Sequence, residues 1–159
     1  KVQGLVLPMT VRENSTLAKL RGVSRAGQLN LRREGKVAHD YVGALRIATP
    51  HIDQRTVNLS GGNQQKVVLA KWLYSDAKLL IIDEPTRGID VGAKAEIYGL
   101  LQRLVEQGKT IIMISSELPE LIGMSDRIIV MHEGRITGEL TRDQFSEETI
   151  MSYASAVTH

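Results

Sequence analysis

Two adjacent carboxylates, Asp83 and Glu84, follow directly on four aliphatic residues at 79–82. A short aliphatic run is typical of a strand buried on both faces, and such a strand would present both acids at its end. Because adjacent strand residues point to opposite faces, the two carboxylates are expected to do different work. In a phosphoryl-transfer site, the first would orient Mg²⁺ and the second would orient and deprotonate an attacking water. The alternative is a strand that ends in an ordinary Asp-Glu-Pro turn.

A second candidate is the sequence Ser60-Gly61-Gly62, which opens a segment of helical character that runs to about residue 75. Two glycines behind a serine allow a phosphate to approach the backbone N–H groups at the start of a helix. The helix dipole favours an anion at that end. The alternative is a glycine turn in which Ser60 is a helix N-cap and nothing more.

A third polar group, Ser115 and Ser116, follows another aliphatic run at 110–114. Functional residues gather beyond the carboxyl ends of parallel strands, so these serines are expected to face the same crevice as the two carboxylates. Ser116 is equally well placed to cap a short helix. The histidines show no metal-ligand spacing, and we interpret all of them as surface residues: His39, His51, His132 and His159.

These candidates need a framework of strands and helices. Residues 9–57 are polar and predict helices and loops, whereas the pattern after residue 58 is sharper. Strands are predicted over 78–82, 110–114, 127–131 and 135–139, and helices over 60–75, 90–108, 116–123 and 142–154. The helix capped by Asp90 has an apolar face made of Ile97, Leu100, Leu101, Leu104 and Val105. Alternating strands and helices indicate βαβ units, and therefore an α/β fold with a parallel sheet and a C-terminal β-hairpin.

The composition narrows the function classes. The chain has 159 residues, of which 42% are apolar and 24% charged, as expected of a globular domain rather than a disordered chain. The net charge is only +2 and the two signs are interspersed, which argues against a nucleic-acid-binding surface. The absence of cysteine excludes disulfides and thiolate chemistry. The first residue is Lys1, so we expect the chain to be a piece of a longer protein.

The candidate motifs together resemble those of a known family. In order and spacing they are similar to three motifs of ABC-transporter ATPases. The signature motif corresponds to Leu59-Ser60-Gly61-Gly62-Asn63-Gln64-Gln65-Lys66. The Walker B motif corresponds to Leu80-Ile81-Ile82-Asp83-Glu84-Pro85-Thr86, and the D-loop to Gly88-Ile89-Asp90. The longer string at 83–94 resembles the second nucleotide-binding cassette of bacterial ATPases that energise import of ribose, galactose, arabinose or xylose. The resemblance is tightest over residues 58–139.

The resemblance implies a role for each motif residue. Asp83 would hold Mg²⁺ through water, and Glu84 would be the general base. The signature residues would close over the γ-phosphate of an ATP bound mainly by an opposite cassette: Ser60, Gly61 and Gly62, with Gln64 a further candidate on the same helix. Asp90 would lie at the interface between cassettes in addition to capping its helix. Ser116 stands where many ABC ATPases have a histidine that contacts the γ-phosphate; it can hydrogen-bond but cannot carry a positive charge.

The resemblance also implies cofactors, partners and a location. ATP and Mg²⁺ would be the cofactors of a partial P-loop NTPase fold, with a helical signature subdomain and its approach at 1–57 and the C-terminal part of the ATPase core at 58–159. The partners would be a second cassette, membrane permease subunits and, indirectly, a sugar-binding protein, with no nucleic acid. The subunit would be cytoplasmic and peripheral on the inner face of the cell membrane.

One departure from the family is the lack of a phosphate loop, since no G-x-x-x-x-G-K-[ST] sequence is present. Gly108-Lys109-Thr110 imitates its end, but it joins a helix to a strand instead of a strand to a helix. We therefore expect the loop to lie upstream of Lys1, beyond the glutamine-loop region near Gln3, and the fragment alone to be inactive. Two alternatives remain open: a soluble ABC ATPase outside transport, and a non-catalytic partner that lends its signature motif to another ATP site.

Overall fold

The computed structural model describes residues 4–155, which fall into two compact units, one ending at Ile112 and the other beginning at Met113. The helices are α1 Val11–Thr16, α2 Leu31–Ala44, α3 Gly61–Tyr74, α4 Val91–Glu106, α5 Leu118–Met124 and α6 Glu147–Ala154. The strands are β1 Ser24–Arg25, β2 Gln28–Leu29, β3 Leu79–Asp83, β4 Thr110–Ile114, β5 Arg127–His132 and β6 Arg135–Thr141. Short 3-10 helices span Leu17–Val23, Thr56–Asn58 and Arg142–Gln144. The predicted domain boundary near residue 58 stays a prediction.

Buried polar side chains organise the first helical region. Thr10 and Glu13 form a capping box at the start of α1, and hydrogen bonds from Thr10 hold the pKa of Glu13 below its ordinary value. Asn14 is fully buried, accepts from the Val6 N–H at 2.9 Å and donates to the Val6 and Thr10 carbonyls. Each polar group of Asn14 therefore has a partner, which is the condition for burying it. The helices predicted in residues 9–57 are confirmed as α1 and α2.

A buried glutamate joins α1 to α2. Glu34 on α2 is 1% exposed, and its carboxylate accepts from the Thr16 hydroxyl at 3.1 Å. The Arg12 Nε lies 3.5 Å from the other carboxylate oxygen, and the same guanidinium reaches Asp53 at 3.0 Å. Pairing of this kind is what makes a buried carboxylate tolerable.

Strand β3 shows a burial pattern that differs from the prediction. Leu80 and Ile82 are buried, whereas Leu79 is 47% and Ile81 66% exposed. The prediction of a strand buried on both faces is therefore wrong for the part of the chain that the structure describes. Burial on both faces requires a packed layer on each side, and the alternation shows a layer on one side. β3 and β4 are neighbours in a two-stranded sheet, in which the Thr110 N–H donates to the Lys78 carbonyl at 2.9 Å.

Helix α4 has the predicted apolar face with one exception. Ile97, Leu100, Leu101 and Leu104 are buried, but Val105 is 48% exposed. At 3.6 residues per turn, Val105 lies roughly 90° from the centre of the buried stripe, so it stands at the edge of that stripe. Gly108, with φ of +84°, follows the helix, and the Gly108-Lys109-Thr110 sequence leads from a helix into β4 as predicted.

The second unit is a hairpin packed against helices. β5 and β6 pair antiparallel through the predicted turn at Glu133-Gly134, where both residues have positive φ, as a type I′ turn requires. This pairing confirms the predicted hairpin, whereas the place of β5 as a third strand of the parallel sheet stays a prediction. The apolar core of this unit is formed by the buried side chains of Ile128, Val130, Leu140 and Ile150.

The last predicted helix begins later than expected. Residues 142–144 form a 3-10 turn, Phe145 is extended, and α6 starts at Glu147. The Ser146 hydroxyl caps α6 by accepting from the Thr149 N–H at 3.0 Å, which sets the start of the helix. Among residues 4–155, no helix is long and apolar enough to cross a membrane.

Candidate functional site

The two adjacent carboxylates, Asp83 and Glu84, lie at the end of β3, but their backbone conformations differ. Asp83 is the last residue of β3, and Glu84 follows it with φ of +48°, in the left-handed region. Strand alternation therefore does not separate the two side chains, because Glu84 lies outside the strand. A non-glycine residue in this region costs about 1 kcal/mol, and such strain is typical of functional sites. The buried residues Pro85 and Thr86 anchor the turn that holds Glu84 in place.

Ser60 stands at the N-cap position of α3, as predicted, but its side chain does not cap the helix. Within the described residues, no capping bond runs from the first turn to the Ser60 hydroxyl. The Ser60 Oγ instead accepts from the Asn63 Nδ2 at 2.9 Å, while the Asn63 Oδ1 accepts from the Ala48 N–H at 2.8 Å. Sequence reasoning missed Asn63. The signal that could have found it is its spacing, three residues after Ser60, which is the spacing of a capping box.

Gly62 lies against the first turn of α4. A Cβ atom built at Gly62 would come 2.8 Å from the Ala93 Cβ and 3.6 Å from the Ile89 Cγ2. Real Cβ atoms essentially never show the first of these distances. Close packing of two helix starts therefore requires glycine here, whatever the backbone N–H of Gly62 binds.

Gln64 has a structural role in this structure. Its Nε2 donates to the Thr56 carbonyl at 3.0 Å and to the Leu59 carbonyl at 3.2 Å. The amide thus ties α3 to the turn that precedes it. The role of Gln64 toward a nucleotide stays a prediction.

Asp90 caps α4 as the sequence predicted. Its Oδ1 accepts from the Ala93 N–H at 2.9 Å, and the backbone of Asp90 is extended, as at an N-cap. The negative charge of the Asp90 carboxylate also interacts favourably with the positive, N-terminal end of the helix dipole.

Removing this cap tests how much of the role of Asp90 is structural. Asp90→Ala is expected to lower the free energy of unfolding by about 1 kcal/mol, because an N–H of the first turn loses its acceptor. Asp90→Asn keeps an acceptor and is expected to cost less. Chemical denaturation of the two variants measures the difference. Equal losses would show that the charge, and not the capping bond, stabilises α4.

The starts of α3 and α4 border one cavity of about 380 Å³. It is lined by Arg46, Ala48, Ser60, Gly62, Asn63 and Lys66 on one side and by Asp90, Gly92, Ala93 and Glu96 on the other. The structure thus brings Ser60 and Gly62 together with Asp90. Asp83 and Glu84 are not among the lining residues.

An ion pair crosses the same cavity. The buried Lys66 ammonium donates to Glu96 at 2.5 Å and to the Arg46 carbonyl at 2.9 Å. The hydrogen bond and the charge of Lys66 hold the pKa of Glu96 below its ordinary value. Because its ammonium is already engaged, Lys66 acts here as a tether between α3, α4 and the loop after α2.

Ser115 and Ser116 belong to the second unit, and the crevice shared with Asp83 and Glu84 stays a prediction. The Ser115 hydroxyl donates to the buried Glu120 carboxylate and accepts from the Glu117 N–H. The prediction that Ser116 caps the next helix is wrong, because α5 begins at Leu118 with Glu117 at the N-cap position. The Ser115 side chain holds the Glu117 N–H and so shifts the start of α5. The contact of Ser116 with a phosphate stays a prediction.

The remaining predictions concern lysine, histidine and metal. Lys109, between α4 and β4, donates to the Ala77 carbonyl at 2.9 Å and lies 3.4 Å from Asp76, so its side chain binds the connection between α3 and β3. Among residues 4–155, no group of three His, Asp or Glu side chains could hold a metal ion. Gln3 and His159 lie outside the described residues.

The chain is similar to known proteins along its whole length. The chain is 58% identical over its full length to a putative ribose/galactose/methyl galactoside import ATP-binding protein of Burkholderia cenocepacia. It is 57% identical, over 96% of its length, to a xylose import ATP-binding protein of Thermoanaerobacter pseudethanolicus. It is 53% identical, over its full length, to a ribose import ATP-binding protein of Clostridium perfringens. The chain spans only 30–32% of these relatives.

Solved structures share the fold. A putative metal-chelate type ABC transporter matches 95% of the chain with a TM-score of 0.78 and 14% identity, and the match covers 60% of that chain. A dimeric ATP-binding cassette in a post-hydrolysis state with ADP and Pi matches 89% of the chain with a TM-score of 0.71 and 24% identity, and the match again covers 60% of that chain. The first is named as an ABC transporter and the second as an ATP-binding cassette, and the two matches confirm the predicted α/β fold of the P-loop NTPase class.

The family assignment combines these matches with the geometry described above. A model of the ABC transporter family matches residues 3–87, just over half of the chain. The matched range includes the signature sequence at the start of α3 and the carboxylate pair at the end of β3. The chain belongs to the ABC transporter family.

Proposed function

We propose that this chain is part of the second cassette of an ATP-hydrolysing subunit that energises the import of a monosaccharide. The observation that carries the proposal is the identity of 53–58%, over the whole chain, to ATP-binding proteins named for the import of ribose, galactose or xylose. The substrate of the transport step is left at the level of a monosaccharide, since the three relatives are named for different sugars.

The signature residues are proposed to bind the γ-phosphate of an ATP held mainly by an opposite cassette. Gly61 and Gly62 are the first residues of α3, which is 14 residues long, and Ser60 stands at its N-cap position. Backbone N–H groups at such an end are not used within the helix, and the dipole favours negative charge there. Asp90 borders the same cavity and would meet the opposite cassette from the first turn of α4.

The chemical step is proposed for the end of β3. Glu84 would accept a proton from the attacking water, and its turn, anchored by Pro85 and Thr86, would keep the carboxylate in position. Ser116 would offer a hydrogen bond to the phosphate or the water. Gln64 would support the signature helix, in keeping with its bonds to Thr56 and Leu59.

Mg²⁺ fits the donor set at Asp83. The Asp83 side chain is an exposed carboxylate at the end of a strand, and Mg²⁺ is typically held by one or two carboxylates together with phosphate oxygens and water. The resemblance to the family implies that Asp83 would hold the ion through water. When bound, the ion would neutralise charge that develops on the phosphate oxygens.

The partners follow from the same proposal. A second cassette would supply the phosphate loop for the ATP that the signature residues contact. Membrane permease subunits would be driven by the closure of the cassettes, and a sugar-binding protein would deliver the solute. The subunit would act at the cytoplasmic side of the cell membrane, without a role for nucleic acid.

Reconstitution tests the proposal. The subunit that contains this chain is assembled with its permease in liposomes, and ATP hydrolysis is measured with ribose, galactose, xylose or arabinose and the matching binding protein. We expect hydrolysis that rises with one of these sugars. Hydrolysis that no sugar stimulates would favour an ABC ATPase outside sugar transport. Hydrolysis that persists only at the partner site would favour a non-catalytic cassette that lends Ser60-Gly61-Gly62.

A further inference from the structure

The side-chain amide of Asn63 has only one possible orientation. One end of the amide faces the Ala48 N–H at 2.8 Å, and the other faces the Ser60 Oγ at 2.9 Å. A backbone N–H can only donate, so the end that faces Ala48 must be the oxygen. The NH₂ group therefore faces Ser60.

This orientation sets the polarity of the Ser60 hydroxyl. A hydroxyl has one hydrogen and two lone pairs, and the Asn63 NH₂ uses a lone pair of Ser60. The hydrogen of Ser60 must then point away from Asn63. Ser60 lines the 380 Å³ cavity between α3 and α4, where its hydrogen can be donated to a bound group.

The loop after α2, which orients the Asn63 amide, forms two hydrogen bonds with α3. In the loop after α2, the Arg46 carbonyl accepts a hydrogen bond from the Lys66 ammonium at 2.9 Å. In the same loop, the Ala48 N–H donates to the Asn63 Oδ1. Asn63 and Lys66 are three residues apart on α3 and so lie on the same face of the helix. These two hydrogen bonds join the loop to α3.

We propose that Asn63 is a positioning residue that makes Ser60 a hydrogen-bond donor toward the γ-phosphate. The inference rests on the proposed function, in which Ser60 contacts that phosphate. The oxygens of an ionised phosphate only accept hydrogen bonds, so a hydroxyl that points its hydrogen outward binds them, whereas one that points a lone pair outward repels them.

The Asn63→Asp variant reverses this polarity with almost no change in size. The introduced carboxylate still accepts from the Ala48 N–H but cannot donate to Ser60, so it draws the Ser60 hydrogen toward itself. We expect single-turnover ATP hydrolysis by the intact transporter to fall roughly ten- to hundredfold, the range for a hydrogen bond to a charged group. Asn58→Asp is the matched control: it adds the same charge at an exposed position two residues before Ser60. We expect it to change hydrolysis by less than about twofold, as is usual for exposed charges.

A double-mutant cycle with Ser60→Ala separates positioning from other effects. If Asn63 acts through the Ser60 hydroxyl, Asn63→Asp adds little further loss once that hydroxyl is gone. Losses that multiply would overturn the positioning role and leave the contact between Ser60 and the phosphate intact. Wild-type hydrolysis by Ser60→Ala alone would instead overturn that contact, and with it the function proposed for the signature residues. Should Asn63→Asp fail to fold, Asn63→Ala serves in the same cycle with a smaller expected loss.

Discussion

Glu84→Gln in the intact subunit is expected to leave ATP binding in place and to slow cleavage by about a hundredfold or more, the usual effect of removing a general base. Glutamine keeps the size and the hydrogen-bonding reach of Glu84 but cannot accept a proton from water. The state in which ATP is held between two cassettes should therefore accumulate. Single-turnover hydrolysis, together with a nucleotide-binding assay, measures both effects.

The cleavage rate has to be measured at this site alone. In the proposed function, Ser116 stands where many ABC ATPases have a histidine, so the partner site would carry much of the overall turnover. Glu106→Gln, an exposed position near the end of α4, is the matched control and should leave cleavage unchanged. Asp83→Asn should weaken Mg²⁺-dependent binding instead of the chemical step. Unchanged cleavage at this site in Glu84→Gln would remove Glu84 from the catalytic role.

Gly62→Ala is expected to destabilise the chain by about 1–3 kcal/mol, the usual cost of overpacking. The new Cβ would lie 2.8 Å from the Ala93 Cβ, so α3 and α4 must move apart at their starts. The same movement displaces the signature residues, and ATP hydrolysis by the intact subunit should fall with it. Denaturant unfolding and an ATPase assay report the two effects separately.

Ala93→Gly supplies the matched control for Gly62→Ala. It removes the opposing methyl group, so the double variant should recover stability relative to Gly62→Ala, less the cost of a glycine in a helix, up to about 1 kcal/mol. Recovery of stability without recovery of hydrolysis would mean that the γ-phosphate can bind the backbone of position 62 only when no side chain is present there. A double variant no more stable than Gly62→Ala would contradict the steric explanation.

The local structure near the site could be predicted from the sequence because it depends on neighbours along the chain. The apolar spacing of α4, its Asp90 cap and the glycine after it are all within one segment, and each is confirmed except for Val105, which is exposed. The same holds for the hairpin turn at Glu133-Gly134. The family could also be identified from contiguous strings, since the signature sequence and the carboxylate pair are each read without knowledge of the fold.

Tertiary contacts decided what those residues do. The orientation of the Asn63 side-chain amide depends on the Ala48 N–H, 15 residues earlier. The need for glycine at position 62 depends on Ala93, 31 residues later. The exposed face of β3 depends on which layers pack against it, and the aliphatic run alone is compatible with burial on one face or two. The sequence therefore determined the motifs and the local elements. Only the packing of distant segments determined which atoms of those motifs meet, because contacts between segments leave no periodic pattern within either one.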